Sequence, residues 1–391
     1  VDEHKHNKAD EPNNRVDVSQ DHRIGFRPGQ ASGSSPSRFL WPLLVGVIVF
    51  CALYLIPLPL YTYKPGTAEP VGPMVRMEQN SETSGSFLLT TIGLSDTNLV
   101  GFIYAKLNSD LYELRPKNQV HRDGESESEY NQRQVYNMRA SQSNAIQAAY
   151  ELAGVSYEVV NTGVLVLRVS EDMPAYGKLR AGDTILSIDG QSASHSTEML
   201  DYLSSKQPGD RVVVEIERSG GHQQMEIELA ELPPQPGEAS SRAGLGVSIA
   251  NKQEIQPEDE KFAVSVEAGQ IGGPSAGLMF ALEIYNRLVG EDITKGYTIA
   301  GTGEIDPEGN VGVIGGIQFK VVAADREGAD IFFAPNDLYP EADDHFQPIL
   351  NATIAEEQVR NIKSDMVVVP VGTIEEALEY LQSLPPKESD S

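Results

Sequence analysis

Between Arg38 and Lys64 the chain carries no charged residue, and residues 39–56 are almost continuously apolar. A bilayer core demands roughly 20 predominantly apolar residues of helix, and this run is about that long. Phe39 and Trp41 at one end, with Tyr54, Tyr61 and Tyr63 at the other, resemble interfacial aromatic belts, and Pro57 and Pro59 would end the helix. The expectation is one transmembrane helix over 39–61. A cleavable leader is the alternative, although the stretch 56–63 is bulky where a small-x-small site would be needed. Arg23, Arg27 and Arg38 precede the run, against Lys64 and Arg76 after it. That bias places the N-terminus on the cytoplasmic side and everything after the run outside the cell membrane.

The 391 residues hold 57 acidic against 30 basic side chains, a net charge of −27. Such a field repels phosphate backbones, so nucleic acid is excluded as a partner. The single cysteine, Cys51, lies inside the apolar run, which rules out an intramolecular disulfide and a thiolate metal cage. None of the seven histidines reaches the H-E-x-x-H spacing that sets two ligands on one helical face. No metal and no cofactor are expected.

Residues 1–38 are polar and aperiodic and read as a disordered tail, as does 385–391. Residues 64–153 mix short apolar runs (87–92, 99–105) with a polar patch at 121–134, read as a solvated loop, and a helical pattern at 140–152. They read as a small α+β module. In 155–232, Gly163, Val164, Leu165 and Val166 mark a strand, 184–188 alternates as another, and Asp189-Gly190 is a hairpin-type turn. A helix at 196–205, with Ser196 as its cap, and a strand at 211–217 follow. Residues 233–242 have linker composition. From 243 to 384 strands (244–250, 262–267, 297–301, 331–334, 366–371) alternate with helical stretches (275–289, 317–327, 374–381), an α/β pattern.

Two local features carry chemistry. Gly272, Gly273, Pro274, Ser275 and Ala276 open an apolar helix that Gly290 would close. A glycine pair and a proline before a serine make a tight turn at the positive end of a helix dipole, suited to an oxyanion. A serine in that place is also an ordinary helix cap. Lys320 shares a helical face with Ile317, Ala323 and Ala324. Buried there, its ammonium form would be disfavoured and its pKa drawn towards the range a general base needs. Otherwise it lays its stem on the core and its head in water.

Resemblance to known families adds to both halves. The strand after a Gly-hydrophobic loop, the LRAGDTILSIDG segment, the helix and the last strand resemble a circularly permuted bacterial PDZ domain. That resemblance implies a peptide groove between Gly163, Val164, Leu165, Val166 and the helix at 196–203, or a spacer whose groove is filled internally. GGPSAG, then Thr302-Gly303-Glu304, then GGIQFK and a closing GTIEEALEYL resemble the proteolytic domain of Lon, including the spacing from Ser275 to Lys320. The resemblance implies Ser275 as nucleophile, Lys320 as its base, Thr302 as a hydrogen-bond partner orienting the amine, and backbone N–H groups around Gly273, Pro274 and Ala276 for the oxyanion. Gly272 departs from that family, which usually has an acid there.

Taken together the chain resembles the membrane-anchored PDZ-Lon proteases of Gram-positive bacteria: an α/β (α+β) multidomain chain with one transmembrane helix, an α+β module, a PDZ domain and a Lon-type domain. No G-x-x-x-x-G-K-[ST] loop occurs in the sequence, so cleavage of exposed peptides or proteins without ATP is the expectation. A hexameric ring is implied by resemblance alone. The rival is a non-catalytic PDZ adaptor with a Lon-like scaffold. A Ser-Lys acyltransferase would need S-x-x-K, which the sequence lacks.

Overall fold

The computed structural model describes residues 37–78, 83–233, 241–339 and 347–388. Residues 1–36 and 389–391 of the expected tails, and 234–240 of the expected linker, lie outside them. The chain divides into two units, 1–52 and 53–391. Helix α1 spans Ser37–Tyr54 and leaves its apolar side chains from Leu40 to Phe50 largely exposed. It stops before Pro57, where strand β1 (Pro57–Pro70) begins, so 57–61 are strand and not helix. Among the described residues no helix is long and apolar enough to cross a membrane, which corrects the span expected over 39–61.

The larger unit is built on two sheets. The first is ordered β11-β10-β9-β2-β1-β3, from β1, β2 (Ser86–Asn98), β3 (Glu113–Pro116), β9 (Thr298–Gly301), β10 (Ile331–Pro335) and β11 (Val367–Val371). β1 runs antiparallel to both β2 and β3, whereas β2, β9, β10 and β11 are mutually parallel. Side chains alternate across this sheet, as strand geometry requires. Phe87, Leu89, Ile299, Ile331 and Phe333 pack with helices α3 (Glu127–Ala153), α5 (Gly277–Val289) and α8 (Ile374–Ser383). Leu88, Ala300, Phe332 and Ala334 pack on the other face, with α6 (Ile317–Arg326) and α7 (Asn351–Ile362). The result is a three-layer sandwich. Each large apolar side chain buried there contributes about 1.5–3 kcal/mol.

Residues 64–153 are therefore no separate module. Their strands β1 and β2 complete the sheet that β9, β10 and β11 begin, and α3 packs on α5. Half of the polar patch at 121–134 is helix as well. Ser126 and Glu129 form a reciprocal capping box that starts α3, and Gly154 in the left-handed region ends it. The run 99–105 is the start of helix α2 (Leu99–Leu107).

The second sheet, ordered β8-β4-β5-β6-β7, consists of β4 (Tyr157–Val169), β5 (Thr184–Ile188), β6 (Arg211–Arg218), β7 (Gly221–Glu228) and β8 (Val247–Pro257), with helix α4 (Ser196–Ser204) beside it. β8 pairs with β4 from Val247–Val169 to Pro257–Tyr157. Residues 230–232 pair with 242–244. The residues on either side of the expected linker thus pair with each other, and the domain expected from 243 yields its strand β8 to the preceding sheet. Ladder bonds decide membership here, and linker composition does not reveal them.

Candidate active site

Ser275 stands just before α5, whose N-cap is Ala276 and whose first turn has no side-chain cap. The hydroxyl therefore does not close the helix. Lys320 Nζ, from the first turns of α6, donates to Ser275 Oγ at 2.8 Å and to the carbonyl of Thr90 on β2 at 2.7 Å. Its residue is only 3% exposed, so the amine does not reach bulk water. Burial pulls its pKa from 10.5 down to about 7. An amine so placed exists in substantial part as the free base at neutral pH, with the serine proton able to pass to it.

The loop carrying Ser275 is held from two sides. Thr302, fully buried, donates its hydroxyl to Ser275 O at 2.9 Å, and the Gly303 N–H donates to the same oxygen at 2.9 Å. The resemblance gave Thr302 to the lysine amine, but the geometry puts it on Ser275's backbone and leaves the amine to Ser275 Oγ and Thr90. From α3, Ser141 Oγ donates to Pro274 O at 2.8 Å and Asn144 Nδ2 to Ile305 O at 2.9 Å. The Gly273 N–H, at φ +90°, donates to Gln134 O at 3.0 Å. Gly273 is thus bonded to α3 in this conformation, and Pro274 has no N–H, which removes both as oxyanion donors and leaves Ala276 of the residues expected there.

Gly272, where an acid was expected by resemblance, faces α3 closely. A Cβ there would lie 3.0 Å from Gln134 Cβ. The dyad opens into a cleft of about 470 Å³ whose walls include Tyr63, Tyr130, Met138, Ile271 and Glu304. Burial raises the Glu304 carboxyl above the usual range.

In the second sheet Gly163, Val164, Leu165 and Val166 do not border a groove. β8 covers one edge, with Ile249, Ala250 and Asn251 opposite Val166, Leu165 and Val164, and β5 covers the other at Val164 and Leu165. Val164 and Val166 are fully buried. β8 itself is an outer strand. Between it and α4 lies a cleft of about 770 Å³ lined by Met199, Leu203, Leu245, Val247 and Ile249. Asn251 ties strand to helix, accepting the Ser196 N–H at 2.8 Å and meeting His195 Nε2 at 2.7 Å. The signal for it was present, since Leu245-Gly246-Val247 is a second Gly-hydrophobic strand start. Thr90, Gln134 and Ser141 had no such signal.

Comparison with known families agrees with these two halves. Residues 152–229 match the PDZ domain family, and 239–382 match the Lon protease (S16) C-terminal proteolytic domain. The second match includes β8, which the sheet assigns to the first domain. Relatives include a Lon protease of Desulforamulus reducens, 31% identical over 35% of this chain and 17% of its own length. A probable periplasmic serine endoprotease, DegP-like, of Pseudomonas fulva is 32% identical over 29% of this chain and 26% of its own. The chain thus spans about a sixth to a quarter of those proteins. Among solved structures, the PDZ domain of an SdrC-like protein of Listeria monocytogenes is 33% identical, covering 22% of this chain and 87% of that one, at a TM-score of 0.21. From the geometry and the family matches together, the chain carries a PDZ-type domain followed by one that matches the Lon (S16) C-terminal proteolytic domain.

Proposed function

We propose that this protein is an ATP-independent endopeptidase that uses Ser275 and Lys320 to cleave exposed peptide segments. The observation that carries the reading is the 2.8 Å contact between Lys320 Nζ and Ser275 Oγ with the amine buried. Ser275 Oγ bonds to the scissile carbonyl carbon while its proton passes to the neutral Lys320 amine. The N–H groups of Ser275 and Ala276, at the start of α5, receive the developing oxyanion. Lys320 then returns the proton to the leaving amine as the C–N bond breaks. A water, deprotonated by the same amine, releases the acyl group and restores Ser275.

Peptide capture falls to the PDZ domain, at the outer edge of β8 opposite α4, where an extended segment can add as a strand. Location at the outer face of the cell membrane belongs to the same proposal. It rests on the exposed apolar side chains of α1, from Leu40 to Phe50, and not on a membrane-crossing helix.

The test is hydrolysis of an unstructured casein-like substrate without nucleotide, comparing the wild type with Ser275→Ala and Lys320→Ala. Activity surviving both changes sinks the dyad. A wild type inactive under every condition, with Ser275→Ala silent in cells, favours a PDZ adaptor instead.

A further inference from the structure

The place where the chain leaves its uncharged run is not polar. Ile56 O accepts the Leu99 N–H at 3.2 Å, and Pro57 pairs with Asn98. Helix α2 therefore springs from the point at which the run ends. Asn98 caps it, its side chain accepting the Gly101 N–H, and Lys106 is its only charge. Only Ala105 of its nine residues is buried.

Ile103, Tyr104 and Leu107 occupy one face at offsets of one and four, and are 49%, 54% and 79% exposed. Across the junction Tyr54, Leu55 and Ile56 are 57%, 76% and 45% exposed. Water-facing surfaces rarely gather large apolar side chains in this way. Tyr104 also stacks edge-on against Tyr112 at 5.2 Å, an aromatic pair of the kind that favours a membrane boundary. Lys106 is exposed and long enough to keep its ammonium in water while its stem lies along the apolar face.

We propose that α2 is a membrane-interface helix, with Ile103, Tyr104 and Leu107 seated in a bilayer surface beside the end of the run 39–56. The inference rests on the location proposed above. It commits to lipid, and to apolar contact, because a chain of charge −27 gains nothing from anionic headgroups. It has a consequence for substrates. The catalytic cleft is lined by Tyr63 on β1 and by Ile92 and Leu94 on β2, the two strands that meet at α2. From Ile56 to Tyr63 an extended strand covers no more than about 25 Å. Docking α2 would hold the cleft within that height of the bilayer, favouring chains that emerge from it.

The experiment uses the full chain in phosphatidylcholine vesicles, with Cys51→Ser and a polarity-sensitive fluorophore on Leu107→Cys. A control label sits on Gln223→Cys, on β7. The expected result is a blue-shifted Leu107 label, quenched by lipid carrying a nitroxide near its headgroup, with the control unchanged. A vesicle-bound chain whose Leu107 label stays in water overturns the proposal for α2 alone. A chain that never binds vesicles overturns the membrane location and this proposal with it. A blue shift without vesicles that grows with protein concentration assigns the face to a second copy, and also overturns it. Among the described residues the three hydrophobic cores lie within 53–391, so that unit is a second subject. Its partition into vesicles should fall about tenfold or more on combining Ile103→Ser with Leu107→Ser, since two aliphatic side chains leave the apolar phase. Peptide hydrolysis in solution should not change.

Discussion

Lys320 Nζ meets Ser275 Oγ at 2.8 Å although 45 residues separate them, because α5 and α6 reach the same end of one sheet from opposite faces. The buried Thr90 hydroxyl bonds Gly301 O at 3.0 Å and so fixes β2 to β9 where the two helices converge. The Thr90 carbonyl then holds the amine.

In the proposed reaction the free amine is the reactive form, so kcat/KM should rise with pH through an apparent value near 7, well below ordinary lysine. Ser275→Ala and Lys320→Met should each lower kcat by roughly 10⁴-fold or more. A rate that begins to rise only near pH 10 would remove Lys320 from the base role.

Stability should carry the mark of the same burial. The folded pKa is about 7 against 10.5 for the free side chain, so between those values the unfolded chain binds more protons. Stability therefore rises with pH from about 7 towards 10.5 and is flat, at its lowest contribution, below 7. Lys320→Met should be the more stable protein at pH 6 to 7, with the difference shrinking as pH rises. Urea midpoints of both proteins across pH 6 to 10 check this, and a constant difference contradicts it.

Thr302 holds the Ser275 carbonyl and does not touch the amine in this arrangement. Thr302→Val should lower kcat about tenfold, roughly 1.4 kcal/mol, with KM nearly unchanged. Thr302→Ser, which keeps the hydroxyl, should restore most of it. Because Thr302 acts on the loop, the apparent pKa of the rate should stay in place; a displaced pKa would return Thr302 to the lysine.

Gly272 has Gln134 against it, and the next residue donates to the Gln134 carbonyl. Gly272→Asp should push α3 away from the loop and lower both activity and thermal stability. Gln134→Gly costs about 1 kcal/mol by itself in a helix interior. Combined with Gly272→Asp it should recover activity, since the clashing Cβ is gone. Strictly additive losses would show that the two positions do not interact.

Binding of an extended apolar peptide should slow hydrogen exchange in residues 245–249 and protect 199–204 from modification. Exchange in Gly163, Val164, Leu165 and Val166 should not change, because β8 and β5 already pair with that strand. Protection confined to β4 would place the ligand elsewhere.

Much of this was legible in the order of residues. Apolar periodicity marked α5, α6 and α8, alternation marked β5 and β6, and glycines marked the turn before Ser275 and the end of α5 at Gly290. Those are local signals, set by side chains within a few positions of one another. The resemblance to Lon depended on motif order and also survived.

Only the tertiary structure decided partnership. Hydrogen bonding between strands far apart in sequence placed β1 and β2 in the proteolytic sheet and β8 in the PDZ sheet, because backbone N–H and C=O groups are alike in every residue. The same blindness hid Thr90 and Gln134, whose contributions are carbonyl oxygens. For Ser275 and Lys320, the residues alone left a helix cap and a surface lysine open, and only the resemblance to Lon named them as a pair. Burial of Lys320 between its helix α6 and the sheet is what disfavours its charge, since desolvation is a property of the packed interior and not of any segment.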